Sequence, residues 1–125
     1  MSALSLFYKL NDFGQLEYAY AVPFVGSPGK SQVSVFNSFI QHISSGEIFN
    51  SSAQSVSASI TVVDLSGKSL AMLQRTLSPH SSDRLDFQLP SDTFGTIRIT
   101  GSVPGIVFRN YVSRPGVYVL PFRGK

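Results

Sequence analysis

The sequence predicts an all-β domain, an antiparallel sandwich of about nine short strands. Three observations carry that prediction. Val56, Ala58, Ile60 and Val62 alternate with Ser57, Ser59, Thr61 and Val63, and a period of two puts each set on its own face of a strand. Turn signals built from Gly, Pro, Asn and Asp recur about every ten residues, the spacing of a sandwich or barrel. No segment carries a sustained helical period.

The stretch from Val56 to Leu89 sets the pattern. Val56–Asp64 and Ser69–Leu77 read as a hairpin around Asp64-Leu65-Ser66-Gly67, because Asp bonds its own downstream backbone and Gly tolerates positive φ. Ser78-Pro79-His80-Ser81-Ser82 is a corner, since Pro donates no ladder bond. Leu85, Phe87 and Leu89 then face inward, with Arg84, Asp86 and Gln88 facing out.

The same reading applies along the chain. Leu4–Leu10 is a strand, Asn11-Asp12-Phe13-Gly14 a turn, and Leu16–Phe24 a second strand whose Pro23 marks an edge or an end. A loop over residues 26–30 leads to a strand at Gln32–Phe39. Residues 40–55 are the least regular part, read as an irregular segment that is either an ordered crossover between sheets or a binding loop. Beyond Leu89, strands are expected at Thr96–Thr100, Ile106–Val112 and Val117–Arg123, parted by turns at 90–95, 101–105 and 113–116.

At 125 residues the chain reads as one domain, residues 1–125, long enough to bury a core without staples. Only 14% of residues are charged, low against the usual quarter; hydroxyl and amide side chains supply the polar surface. That surface suits a secreted or assembled protein, though cytosolic β-domains can share it. No cysteine is present, so disulfides, thiolate metal sites and a cysteine nucleophile are excluded. The start of the chain lacks the basic and apolar regions of a signal peptide, and no apolar run is long enough for a helical membrane span.

Chemistry is sparse. His42 and His80 sit alone in Ser-rich loops, and a zinc site needs three or four convergent ligands. No Gly-x-Ser-x-Gly elbow occurs. Asp12, Asp64 and Asp92 fall in turns, where Asp has a structural job. Of the other carboxylates, Glu17 and Glu47 are the pair able to approach each other as a glycosidase pair does, though nothing in the pattern requires it. No catalytic residue, metal site or cofactor is expected. The candidates for ligand contact are Tyr18 and Tyr20, on one face of their strand, and Arg98, Arg109, Tyr111 and Arg114 in a basic last third. Aromatic platforms stack on sugars or bases, and a basic edge attracts anions. A nucleic-acid role is disfavoured, because the strands are too many for a five-stranded OB barrel and the RNP consensus is missing.

From Gln54 to Val112 the chain resembles a recurrent immunoglobulin-like β-sandwich domain of bacterial secreted and surface proteins. The resemblance rests on Ile60-Thr61-Val62-Val63-Asp64-Leu65-Ser66-Gly67, Leu77-Ser78-Pro79-His80, Leu85–Leu89, Gly95-Thr96-Ile97-Arg98-Ile99 and Arg109-Asn110-Tyr111. It implies a non-enzymatic structural or adhesive role, outside the cell or at its surface, and carries no site residues across. The expected partners are another protein, or a second copy paired through edge strands at Leu4–Leu10 or Val117–Arg123. The alternatives are a carbohydrate-binding module, for which Tyr18 and Tyr20 are the stacking candidates, and a virion or filament subunit. An enzyme comes last.

Overall fold

Backbone alternation is realised as ten strands among the described residues. The computed structural model describes residues 3–24, 28–114 and 118–124, with side chains described only in part within the first, second and last strands. In chain order these are β1 (Ala3–Leu10), β2 (Leu16–Phe24), β3 (Ser31–Asn37), β4 (Ile43–Asn50), β5 (Val56–Asp64), β6 (Ser69–Leu77), β7 (Ser82–Asp86), β8 (Phe94–Gly101), β9 (Ile106–Arg114) and β10 (Tyr118–Arg123). A 3-10 turn, Phe39–Gln41, lies between β3 and β4.

Two four-stranded antiparallel sheets form the sandwich. The front sheet has the order β3-β8-β5-β6 and the back sheet β10-β9-β4-β7, while β1 and β2, among the described residues, pair with each other as a separate hairpin. Between the sheets lie Phe36, Val56, Ala58, Ile60, Val62, Leu77, Ile97 and Ile99 from the front and Ile48, Leu85, Ile106 and Phe108 from the back. The apolar set of β5 is wholly inside, as its alternation requires. Each buried Val, Leu, Ile or Phe contributes about 1.5–3 kcal/mol by leaving water. Leu85 and Phe87 also point inward as expected, although the β7 ladder ends at Asp86.

Residues 40–55 differ from the expectation of an irregular segment. They contain β4, which sits between β9 and β7 in the middle of the back sheet. Its buried positions are Ser44, Gly46, Ile48 and Asn50, so the inward face is mostly small or polar and the apolar alternation that marks a strand is missing. The third strand likewise stops at Asn37, two residues short of its expected end.

Buried polar groups then need partners. Asn50 is fully buried and finds them. Its Nδ2 donates to the carbonyls of Gln54 (2.7 Å), Ser78 (3.0 Å) and Leu77 (3.3 Å). Its Oδ1 accepts from the Ser52 backbone N–H (3.0 Å) and hydroxyl (2.7 Å). One side chain thereby ties the β4–β5 connection to the corner after β6.

Two hairpins close with the same device. Asn11 Oδ1 accepts from the N–H of Phe13 (3.0 Å) and Gln15 (2.9 Å), and Asp64 Oδ1 from the N–H of Ser66 (2.9 Å) and Lys68 (3.0 Å). Gly14 (φ 76°) and Gly67 (φ 86°) supply the left-handed residue in each.

Candidate functional site

The six sequence candidates do not converge on one place. Arg98 is exposed on the outer face of the front sheet, where register sets it between Val33 of β3 and Thr61 of β5. Arg109 and Tyr111 lie across the sandwich, on the outer side of the back sheet, and are buried to 4% and 6% exposure. β9 is in fact buried on both faces from residue 106 to residue 112, so neither side chain belongs to an open platform or a solvent-facing basic edge. Tyr111 Oη donates to Glu47 Oε2 at 3.4 Å, and register aligns Glu47 with Arg109 on one side and Arg84 on the other. Arg114 is half-buried at the end of β9. The side chains of Tyr18 and Tyr20 lie outside the described residues.

Among the described residues, no three His, Cys, Asp or Glu side chains gather as metal ligands. Several acids have structural partners instead. Glu17 pairs with Lys9 at 2.6 Å, Asp83 with Arg75 at 2.9 Å and Asp86 with Arg84 at 3.0 Å. Asp64 serves its turn, and His42 Nδ1 meets the carbonyl of Phe39.

Exposed apolar surface is where the structure departs from a featureless sandwich. Most of it, among the described residues, collects in two places, with Val35, Met72, Leu120 and Phe122 exposed elsewhere. The first is the outer half of the β1–β2 hairpin. Tyr8 pairs with Ala19 and Leu10 with Leu16, and Tyr8, Leu10 and Leu16 are 63%, 47% and 61% exposed, with Phe13 at 87% on the tip. The second is one pole of the sandwich, where Phe39, Ile40, Ile43, Leu65 and Phe94 are all exposed. Register brings their strand ends together: Asn37 faces Phe94, and Asp64 faces Gly95. The Phe39 and Phe94 rings meet at 5.6 Å.

Hydrogen bonds tie that pole to the loop before β8. Ser38 Oγ donates to the Pro90 carbonyl (2.5 Å) and accepts from the Thr93 N–H (3.0 Å). The Phe39 N–H donates to Asn37 Oδ1 (2.9 Å). Ile40 and Gln41 take left-handed φ of 54° and 62°, which is rare for any side chain and an outlier for a β-branched one. The sequence signal for both surfaces was a large apolar residue inside a turn: Phe13 in Asn-Asp-Phe-Gly and Ile40 before Gln-His.

No family model and no curated protein matches the sequence. Among solved structures, the chain is similar to the crystal structure of Thermotoga maritima 1070, at 16% identity and a TM-score of 0.61, over 78% of this chain and 94% of that one. At that identity the likeness concerns the fold alone, and the fold is a β-sandwich.

Proposed function

We propose that this chain is a non-enzymatic structural module of a bacterial surface or secreted assembly, and that it works by protein contact. The observation that carries the reading is the β1–β2 hairpin, a two-stranded sheet of its own with Tyr8, Leu10, Phe13 and Leu16 exposed along its outer half. A lone hairpin is marginal in water, and contiguous exposed apolar residues mark contact surfaces. The test is sizing by light scattering at rising concentration and with the other components of its assembly. The double variant Phe13→Asp, Leu16→Asp alters no core residue. It is expected to return the chain to a monomer that still unfolds in one cooperative thermal transition, with a midpoint that no longer depends on concentration. Assembly that survives the double substitution overturns the reading.

A polar glycan is the second reading. What favours it is the outer face of the front sheet, where Thr100, Ser59 and Gln74 stand in register next to the row containing Arg98 and Thr61. Gln74 Nε2 donates to Ser59 Oγ at 3.0 Å there. Retention on a polysaccharide column that survives high salt and is lost in Arg98→Ala supports it; no retention removes it.

A further inference from the structure

We infer that Asn110 and Ser44 are edge caps, whose side chains close the outer edge of β3 against pairing with a second copy of the chain. The inference is independent of the hairpin reading above. β3 ends the front sheet, with β8 on its inner side. Alternate residues of an antiparallel strand turn their N–H and C=O toward the neighbour and away from it. Lys30 and Ser38, which flank β3, turn toward the β8 side. The Gly101 N–H donates to the Lys30 carbonyl (2.7 Å), and the Ser38 N–H donates to the Thr93 carbonyl (2.8 Å). The even-numbered residues therefore serve the ladder, and Ser31, Val33, Val35 and Asn37 turn their backbone groups outward.

That outer edge is covered. Gly29, in step with those residues, bridges Ile106 of β9 through two backbone bonds of 3.0 Å. The Val35 carbonyl accepts from Asn110 Nδ2. The Ser44 hydroxyl accepts from the Asn37 N–H and donates to the Asn37 carbonyl, both at 3.4 Å. Register sets Asn110 opposite Gly46 and Val112 opposite Ser44, so both caps reach β3 from adjacent strands of the back sheet.

β3 lacks other protection. Ser31–Asn37 holds no proline and no charge, the devices that blunt an edge. By contrast β10 carries Pro121, and β7 is short with Asp83, Arg84 and Asp86. Asparagine is also costly where it stands. It interrupts the inward row of Ile106, Phe108 and Val112, all buried, and its Oδ1 has no hydrogen-bond partner among the described residues. An apolar residue would fill the row without that loss, but it has no donor for the Val35 carbonyl.

The experiment removes the caps and then blocks the edge by other means. Ser44→Ala deletes one hydroxyl. It is expected to speed amide hydrogen exchange at Asn37 by about tenfold and to leave Ser38 unchanged. The double variant Ser44→Ala, Asn110→Ala is expected to keep a cooperative thermal transition. In light scattering it is expected to self-associate beyond the parent chain at equal concentration. Adding Val35→Lys places a charge on the opened edge at an exposed position. The triple variant is expected to return to the mass of the parent without any rise in thermal midpoint. Association that persists with Val35→Lys comes from general unfolding and overturns the inference. A double variant that associates no more than its parent overturns it too. If the double variant does not fold, Ser44→Ala with and without Val35→Lys carries the same comparison. Fast exchange at Asn37 without added association would make Ser44 a stabilising contact alone, and the cap falls.

Discussion

The Phe108 ring occupies the space that a side chain at Gly46 would need. A Cβ at position 46 would lie 2.5 Å from Phe108 Cε2 and 3.1 Å from the Arg109 carbonyl oxygen. Glycine is therefore required at the centre of β4 for close packing, since it leaves room for the Phe108 ring of the neighbouring strand β9. Gly46→Ala is expected to lower stability by about 1–3 kcal/mol through overpacking. Urea unfolding followed by circular dichroism checks it, and an unchanged midpoint would mean that the ring turns aside freely.

Asn50 makes a second prediction about the same strand. Its amide satisfies three carbonyls and its oxygen two donors. Asn50→Ala leaves several of these groups without a partner in a dry place, and the expected loss is about 3 kcal/mol. Asn50→Asp, of nearly equal size, is expected to lose a similar amount at neutral pH, because a carboxylate cannot donate to the carbonyls of Leu77 and Ser78. A full recovery in Asn50→Asp would contradict the donor role.

These two residues also show what the sequence made legible and what it did not. The β5–β6 hairpin was readable because alternation, Asp64 and Gly67 all agree on it. The β4 strand was not, because Gly46 and Asn50 hold inward positions for reasons of packing and hydrogen bonding that become visible only with Phe108 and the β6–β7 corner in place. Arg109 and Tyr111 failed differently. Alternation assigns residues to a face of a strand, but it does not say that both faces of β9 are covered. Arginine and tyrosine at those positions therefore read as surface.

Asp64 predicts a pH effect. Its carboxyl is held below the ordinary carboxylate value, chiefly by the hydrogen bond from the Ser66 hydroxyl, with smaller help from the N–H groups of Lys68 and Ser66 and the Lys68 charge; desolvation opposes them. A pKa lower in the folded state than in the unfolded state gives stability that is present above the unfolded value, about pH 4, and is lost as pH falls through the folded value. Asparagine at Asn11 makes the equivalent turn. Asp64→Asn is thus expected to leave the neutral-pH midpoint nearly unchanged and to flatten the decline in thermal midpoint below about pH 4. An identical acid limb in both proteins would assign that decline to other carboxylates.

Ile40 gives the last prediction. It combines φ 54° and ψ 46° with 63% exposure. The left-handed region costs an L-residue about 1–2 kcal/mol, and a side chain so exposed recovers little of that by burial. Glycine in its place relieves the backbone and adds about 0.5–1 kcal/mol of unfolded-state entropy. Ile40→Gly is accordingly expected to raise stability by up to about 1 kcal/mol, read as an increase in thermal midpoint. That outcome would mean that isoleucine is kept at the apex against the stability of the fold. The pole formed with Phe39 and Phe94 would then be a surface for contact, preset by the Ser38 network before any partner arrives. A fall in stability would instead show that Ile40 shields the Phe39–Phe94 pair from water, and would return the pole to the core.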